Sequence, residues 1–200
     1  ASNKSSSGRI NLRGRLIPDG VPRFDDIPPG YRGTLWLEVI PKSFPILLHP
    51  GDRINQLRFF HGDARFSALE HRIAFDRYGL LRDSDGKRIP ANSENVGRGI
   101  TMTIDLHSRD VIGWRAKTST STFMDTARFD HDAEDFFEPV MRPKHDELIL
   151  HPDTFFILAT KERILVPPDM ACEMAAYDAS KGEFRSHFAG FFDPGFGWHD

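Results

Sequence analysis

This chain has one cysteine, no long apolar run and little net charge, and each scarcity removes a class of protein. With Cys172 alone, neither an internal disulfide framework nor a multi-cysteine zinc site can be built. Cys172 lies in Met170-Ala171-Cys172-Glu173-Met174 and reads as a buried structural thiol. No apolar stretch approaches the roughly 18 residues of a membrane-spanning helix. Ala1-Ser2-Asn3-Lys4 has no apolar core behind it and is not a signal peptide; a cytoplasmic location is the default expectation, although a fragment could have lost a targeting segment. A net charge of -3 makes no general case for nucleic-acid binding. The chain also lacks His-x-Glu followed by Pro-Cys-x-x-Cys, which excludes a zinc-type nucleobase deaminase. His-Glu-x-x-His and a Walker-type phosphate loop are missing as well.

What is present points to short strands and tight turns. The 200 residues suit one large domain or two small ones, and 28% charged with 39% hydrophobic residues is ordinary globular composition. Seventeen phenylalanines, fourteen prolines and frequent Pro-Gly steps favour a mainly β, or all-β, fold with short helices. A Pro-Gly-aromatic turn occurs near both ends: Pro29-Gly30-Tyr31-Arg32-Gly33 leads into a strand, and Asp193-Pro194-Gly195-Phe196-Gly197 stops short of one. Gly195 and Gly197 read as backbone-permissive turn positions, since no helical pattern follows them.

Residues 1 to 12 read as a polar loop and Leu16 to Pro22 as a turn. Strict alternation predicts a strand from Thr34 to Val39, with Leu35, Leu37 and Val39 on one face and Thr34, Trp36 and Glu38 on the other. Further strands are expected at Phe44 to Leu48 and at Arg53 to Phe60, either side of the His49-Pro50-Gly51-Asp52 turn. A helix is expected over Ser67 to Leu80, capped by Ser67 with Glu70 and packed through Leu69 and Ile73. Thr101 to Leu106 and Val111 to Ala116 suit a hairpin. From Asp125 to Glu138 there are six acidic residues and one arginine, a solvated crossing segment with no evenly spaced ligand set. Leu148 to Asp153 echoes Leu47 to Asp52, so residues 1-90 and 91-200 read as parts of two copies of one β unit.

Two groups could carry chemistry. Glu38, mid-strand beside Trp36, could be tuned as a general base that activates water, or could be a solvated surface glutamate. Ser5-Ser6-Ser7-Gly8-Arg9 could grip phosphate oxygens or steady developing charge, or could be a plain polar terminus. His49 and His151, each before a proline, read as structural.

Three linked stretches then carry a resemblance: Ser5 to Arg9, Gly30-Tyr31-Arg32-Gly33 with Leu37-Glu38, and His49 to Leu57. Together they resemble the dCTP deaminase branch of the dUTPase-like family. Phe156 to Thr160, Glu162 to Pro168 and Ala189 to Gly197 are similar to the early and central parts of the same domain. The chain resembles an internal section of the long, tandem-domain form: residues 1-90 the C-terminal part of a first copy, 91-200 the N-terminal part of a second. The resemblance implies a β-clip, a distorted β-barrel, assembled as a homo-oligomer and most often a trimer.

It also implies an enzyme that deaminates dCTP to dUTP and ammonia without zinc, with Mg2+ bound alongside the triphosphate and no metal held by protein residues. By the same resemblance Glu38 activates the water, Arg9 polarises the base and Ser5 supports it. Ser6, Gly8, Tyr31 and Gln56 fall at substrate-binding positions. Asp193 is the second-copy candidate.

Departures keep rivals open. Pro28 stands where the family often has aspartate, and Asp178 to Glu183 replaces the Ser-Ser-x-x-Arg loop in the second copy, which therefore reads as mainly structural. A dUTP diphosphatase, a bifunctional enzyme and a non-catalytic nucleotide-binding module are the alternatives.

Overall fold

A computed structural model describes residues 2–97, 99–174 and 190–198. The elements run β1 (Ser2–Asn3), α1 (Ser5–Arg9), β2 (Leu12–Pro18), β3 (Leu35–Pro41), β4 (Ile46–Leu47), β5 (Asn55–Gln56), α2 (Ala68–Tyr78) and β6 (Leu81–Arg82). They continue with β7 (Val111–Ala116), β8 (Met124–Asp125), a 3-10 turn at Ala133–Asp135, β9 (Phe137–Met141), β10 (Phe156–Leu158), β11 (Arg163–Ile164), β12 (Cys172–Glu173) and β13 (Phe191–Phe192). The mainly β expectation holds. The described residues fall into two compact units: one within Ala1–Arg58, Leu106–Ile157 and Ala176–Gly190, the other within Phe59–Asp105, Leu158–Ala175 and Phe191–Asp200.

In the first unit, β2 and β3 form an antiparallel ribbon, β1 pairs with β5, β4 runs parallel to β8, and β7 lies between β10 and β9. Its core centres on Phe44, Ala116 and Phe136, with Ile10, Ile46, Met124, Phe137 and Phe155 packed around them. Phe44 lies 5.0 Å from Phe136 and 5.5 Å from Phe137, centroid to centroid. Full burial of a ring such as Phe136 is worth about 2–3 kcal/mol.

In the second unit, α2 packs Ala74 and Phe75 against Leu80 and Leu81, joined by Ile89, Val96, Ile164 and Met170. The Ser67 hydroxyl accepts from the Glu70 amide while the Glu70 carboxylate accepts from the Ser67 amide, the reciprocal cap that the sequence predicts. Gly79 ends the helix in the left-handed region at φ 61°, its amide donating to the Phe75 carbonyl.

Several expectations are corrected. Residues 1 to 12 are not a loop but hold β1 and α1, and Leu16 to Pro18 belong to a strand rather than a turn. The expected strands at Phe44 to Leu48 and Arg53 to Phe60 shrink to Ile46–Leu47 and Asn55–Gln56, because only two residues of each find a partner. β7 pairs with β9, not with Thr101 to Leu106, where only Ile104 makes an isolated bridge to Thr160. Leu69 and Ile73 are 68% and 55% exposed, so α2 turns the opposite stripe inward through Phe75, which is fully buried. Leu148 to Leu150 form no strand, whereas the stretch they echo begins at Leu47, the last residue of β4.

Candidate active site

The site is built from the N-terminal segment upward. Antiparallel pairing of β1 with β5 sets Ser2 opposite Gln56 and Asn3 opposite Asn55. The buried Asn3 amide then fastens β2: its Nδ2 donates to the Leu12 carbonyl at 2.8 Å, and its Oδ1 accepts from the Gly14 amide at 2.8 Å. Gly14 is required there, since a Cβ would sit 2.9 Å from Asn3 Oδ1 and 3.1 Å from the Ile54 side chain.

Five residues of helix follow β1. The buried Ser7 hydroxyl donates to the Ile54 carbonyl at 3.1 Å, and the Lys4 amide donates to the same oxygen at 2.9 Å. Gly8 is buried, with its amide on the Lys4 carbonyl. Thus the Ser-Ser-Ser-Gly-Arg stretch and the His49 to Leu57 stretch, distant in sequence, are brought together. Ser7 anchors the helix, and among the described residues Ser5, Ser6 and Arg9 make no side-chain hydrogen bond or ion pair. Their polar groups are available to something else.

Glu38 stands on β3 opposite Arg15 of β2, one pair beyond Gly14 and Val39. On the same face lie Arg13, Ile17, Trp36 and Ile40. The Glu38 side chain is 40% exposed, yet its Oε2 is shielded from solvent and accepts no hydrogen bond. Arg15 Nη1 is 3.6 Å from that oxygen, inside ion-pair range and beyond hydrogen-bond range. No ion pair joins Glu38 to Arg9 among the described residues. The two strands of the ribbon differ: β2 buries Leu12, Leu16 and Pro18, whereas on β3 Leu35, Trp36 and Leu37 are all exposed, Trp36 by 58%, where alternation alone would put Leu35 and Leu37 inside.

The first Pro-Gly turn shapes the approach to this strand. Tyr31 donates its amide to the Pro28 carbonyl, and Gly30 at φ 76° occupies the position that needs a left-handed residue. The Tyr31 hydroxyl donates to the Thr34 carbonyl at 2.6 Å and accepts from the Asp19 amide at 2.8 Å. The Asp19 carboxylate takes the Trp36 indole N–H at 2.8 Å. The hydroxyl of Tyr31 is therefore engaged in the turn, leaving its ring. Gln56 is half-buried on β5. Asp193 belongs to the second unit, is exposed, and its carbonyl accepts from the Phe196 amide. The Asp178 to Glu183 stretch lies outside the described residues.

Sequence reading missed Asn3 and Arg15, and the anchoring role of Ser7. Alternation of Leu12, Gly14, Leu16 and Pro18 against Arg13, Arg15 and Ile17 was the available signal for β2. Glycine, arginine and proline within it disguise the strand.

Other polar groupings are structural. His49 Nε2 lies 2.6 Å from Asp125 Oδ1, and Asp52 accepts from the His49 amide and the Thr126 hydroxyl. The His49 amide, then the Thr126 hydroxyl, hold the Asp52 carboxyl below its ordinary value; the Ala127 amide, then His49, do the same for Asp125. Burial pushes the Cys172 thiol up. A cleft of about 170 Å³ lined by Lys42, Ser43, Lys117, Thr118, Asp153 and Thr154, with Ala116 and Phe155, contains none of the candidate site residues. Among the described residues no three His, Cys, Asp or Glu side chains form a possible metal-ligand group. No described helix is long and apolar enough to cross a membrane.

With this geometry in view, the relatives are informative. The solved structure of 2'-deoxycytidine 5'-triphosphate deaminase from Agrobacterium tumefaciens is 39% identical with a TM-score of 0.85. The match covers 98% of this chain and 57% of that one, so the chain spans little more than half of its relative's length. Among curated proteins, none matches. The class is thereby defined: a mainly β protein of the dUTPase-like fold. The model of the 2'-deoxycytidine 5'-triphosphate deaminase (DCD) N-terminal domain matches residues 1–63, and that of the C-terminal domain matches 79–200. The chain belongs to the 2'-deoxycytidine 5'-triphosphate deaminase family.

Proposed function

We propose that this chain is part of an enzyme that converts dCTP to dUTP and ammonia by hydrolytic attack at cytosine C4. The observation that carries the reading is Glu38: a carboxylate on a fixed strand with one oxygen shielded from solvent, in a chain of this family. In this scheme Glu38 takes a proton from water as its oxygen bonds to C4. It then returns a proton to the amino group, the C4–N bond breaks, and ammonia leaves. Arg9 polarises the base with its unpaired guanidinium, and Ser5 supports it. Ser6, Gly8, the Tyr31 ring and Gln56 bind the nucleotide. The mechanism needs no zinc. Mg2+ would travel with the triphosphate, held chiefly by phosphate oxygens, since the described residues offer no three-ligand group of their own.

The organisation is proposed on the same footing. Residues 1-90 and 91-200 are parts of two related copies, and the second, with Asp193, is mainly structural. Exposed Phe24, Leu35, Trp36 and Leu37 around Glu38 support a subunit boundary at this ribbon, in a homo-oligomer for which a trimer is favoured. The enzyme would work in the cytoplasm, without nucleic acid or membrane.

Incubation with dCTP and Mg2+ tests the reading by ammonia and dUTP formation. Formation of dUMP and diphosphate from dUTP would instead identify the diphosphatase or a bifunctional enzyme. Nucleotide binding without product would leave a non-catalytic module.

A further inference from the structure

Glu38 is held by one charged neighbour whose own position is fixed by a loop that folds back over β2. The Asp25 amide donates to the Leu16 carbonyl at 2.9 Å, and Asp25 Oδ1 accepts from the Leu16 amide at 2.9 Å. Asp25 itself is left-handed at φ 59°, a conformation that asparagine and aspartate tolerate better than most residues. These two bonds clamp the loop beside Arg15 and set the Phe24 ring under its guanidinium, 4.3 Å from the centroid. The guanidinium is thus stacked on one side and directed across the strand pair toward Glu38, with Nη1 3.6 Å from Oε2. Oε2 is the oxygen that is shielded and receives no hydrogen bond. A shielded carboxylate oxygen without a donor is costly unless a cation stands near it. Arg15 is that cation.

We propose that Arg15 is a positioning residue for Glu38: stacked on Phe24, it fixes Oε2 by charge and leaves the other carboxylate oxygen to face water and substrate. The inference rests on the reading of Glu38 as the base and adds a group that does not itself touch the nucleotide. The arrangement uses both parts of arginine, the flat face on the ring and the charged edge toward the carboxylate. Lysine can supply only the charge.

The test uses the full chain with dCTP and Mg2+. Arg15→Gln is expected to lower kcat about 100-fold, the scale of an ångström-level misplacement, while KM stays within about twofold. Arg15→Lys recovers part of that loss, and Phe24→Leu, which keeps the cation but removes its seat, falls between. Thermal melting of Arg15→Gln, Glu38→Gln and the double variant gives a readout independent of turnover: the double loss is smaller than the sum of the single ones. Additive melting losses, or an unchanged kcat in Arg15→Gln, overturn the positioning role alone. If Arg15→Gln does not fold, Phe24→Leu decides, since an unchanged kcat there overturns the stacking arrangement. A wild type that never releases ammonia from dCTP while the melting losses stay coupled overturns the reading of Glu38 and, with it, any role of Arg15 in catalysis.

Discussion

The turns at Pro28–Tyr31 and Asp193–Phe196 share a backbone plan and differ in what they hold. In each, the aromatic residue donates its amide three residues back, at 3.2 Å and 3.1 Å, across a glycine with φ of 76° and 84°. Around the first, a tyrosine hydroxyl ties the turn to Thr34 and Asp19, and the chain goes on into the strand that carries Glu38. Around the second, Phe196 has no hydroxyl and meets Phe192 at 4.9 Å, while the Val166 amide donates to the Phe196 carbonyl and the Gly195 amide to the Val166 carbonyl. Val166 is fully buried. The first turn spends its side chain on aiming a strand; the second spends its backbone on anchoring to a packed residue. One local signature therefore leads to the proposed site in one unit and serves packing in the other.

The difference can be broken most decisively by chemistry. Glu38→Gln is expected to lower ammonia release by about 1000-fold, within the range for losing a general base, whereas Asp193→Asn leaves it within about twofold. Equal losses in the two variants would erase the distinction between the units.

The next contrast is steric. An alanine Cβ at Gly197 would lie 2.7 Å from the Ile164 carbonyl oxygen at φ 65°, whereas one at Gly30 meets nothing within 4 Å. Gly30→Ala should therefore cost only the left-handed strain, about 1–2 kcal/mol, and Gly197→Ala roughly 3–4 kcal/mol. Chemical denaturation of both variants reads the order, and a reversed order would contradict the anchoring role. A smaller effect follows from making the first turn like the second. Tyr31→Phe removes both hydroxyl bonds at an exposed position and should cost about 1 kcal/mol by the same measurement.

Acid gives the mildest test. Asp52 and Asp125, both in the first unit, have carboxyls depressed below the ordinary 3.8 by amide donors, of His49 and Ala127 respectively, as the largest cause. Their contribution is fully present above that value and is lost as pH falls through the depressed folded values. Melting followed from about pH 6 to pH 3 should decline more gently in Asp125→Asn than in the wild type. An identical decline would show that the His49 network carries no linkage.

How much of this could be read from residues depends on how local each signal is. Ser67, Glu70 and Gly79 announce both ends of α2, and Pro-Gly steps announce the turns, because caps and left-handed positions are set by immediate neighbours. The buried side of α2 was not legible. Leu69 and Ile73 carry the apolar pattern, but Phe75 finds the core. β3 could be read from its alternation, whereas β2 was hidden by Gly14, two arginines and Pro18, and most other strands are two residues long. At the site, the strand position of Glu38 was legible and its partner was not. Arg15 meets Glu38 only through antiparallel register, which no local pattern specifies. The tethering roles of Asn3 and Ser7 were likewise invisible, since they lie in reaching Leu12, Gly14 and Ile54.

The most direct measurement of the central claim is dCTP turnover in oxygen-18 water, with the nucleotide product analysed by mass. The account predicts dUTP carrying one heavy oxygen at C4 and one ammonia per turnover from the wild type, and neither from Glu38→Gln within the same time. Label appearing at C4 at the same rate in Glu38→Gln, or label entering only a phosphate, would contradict it.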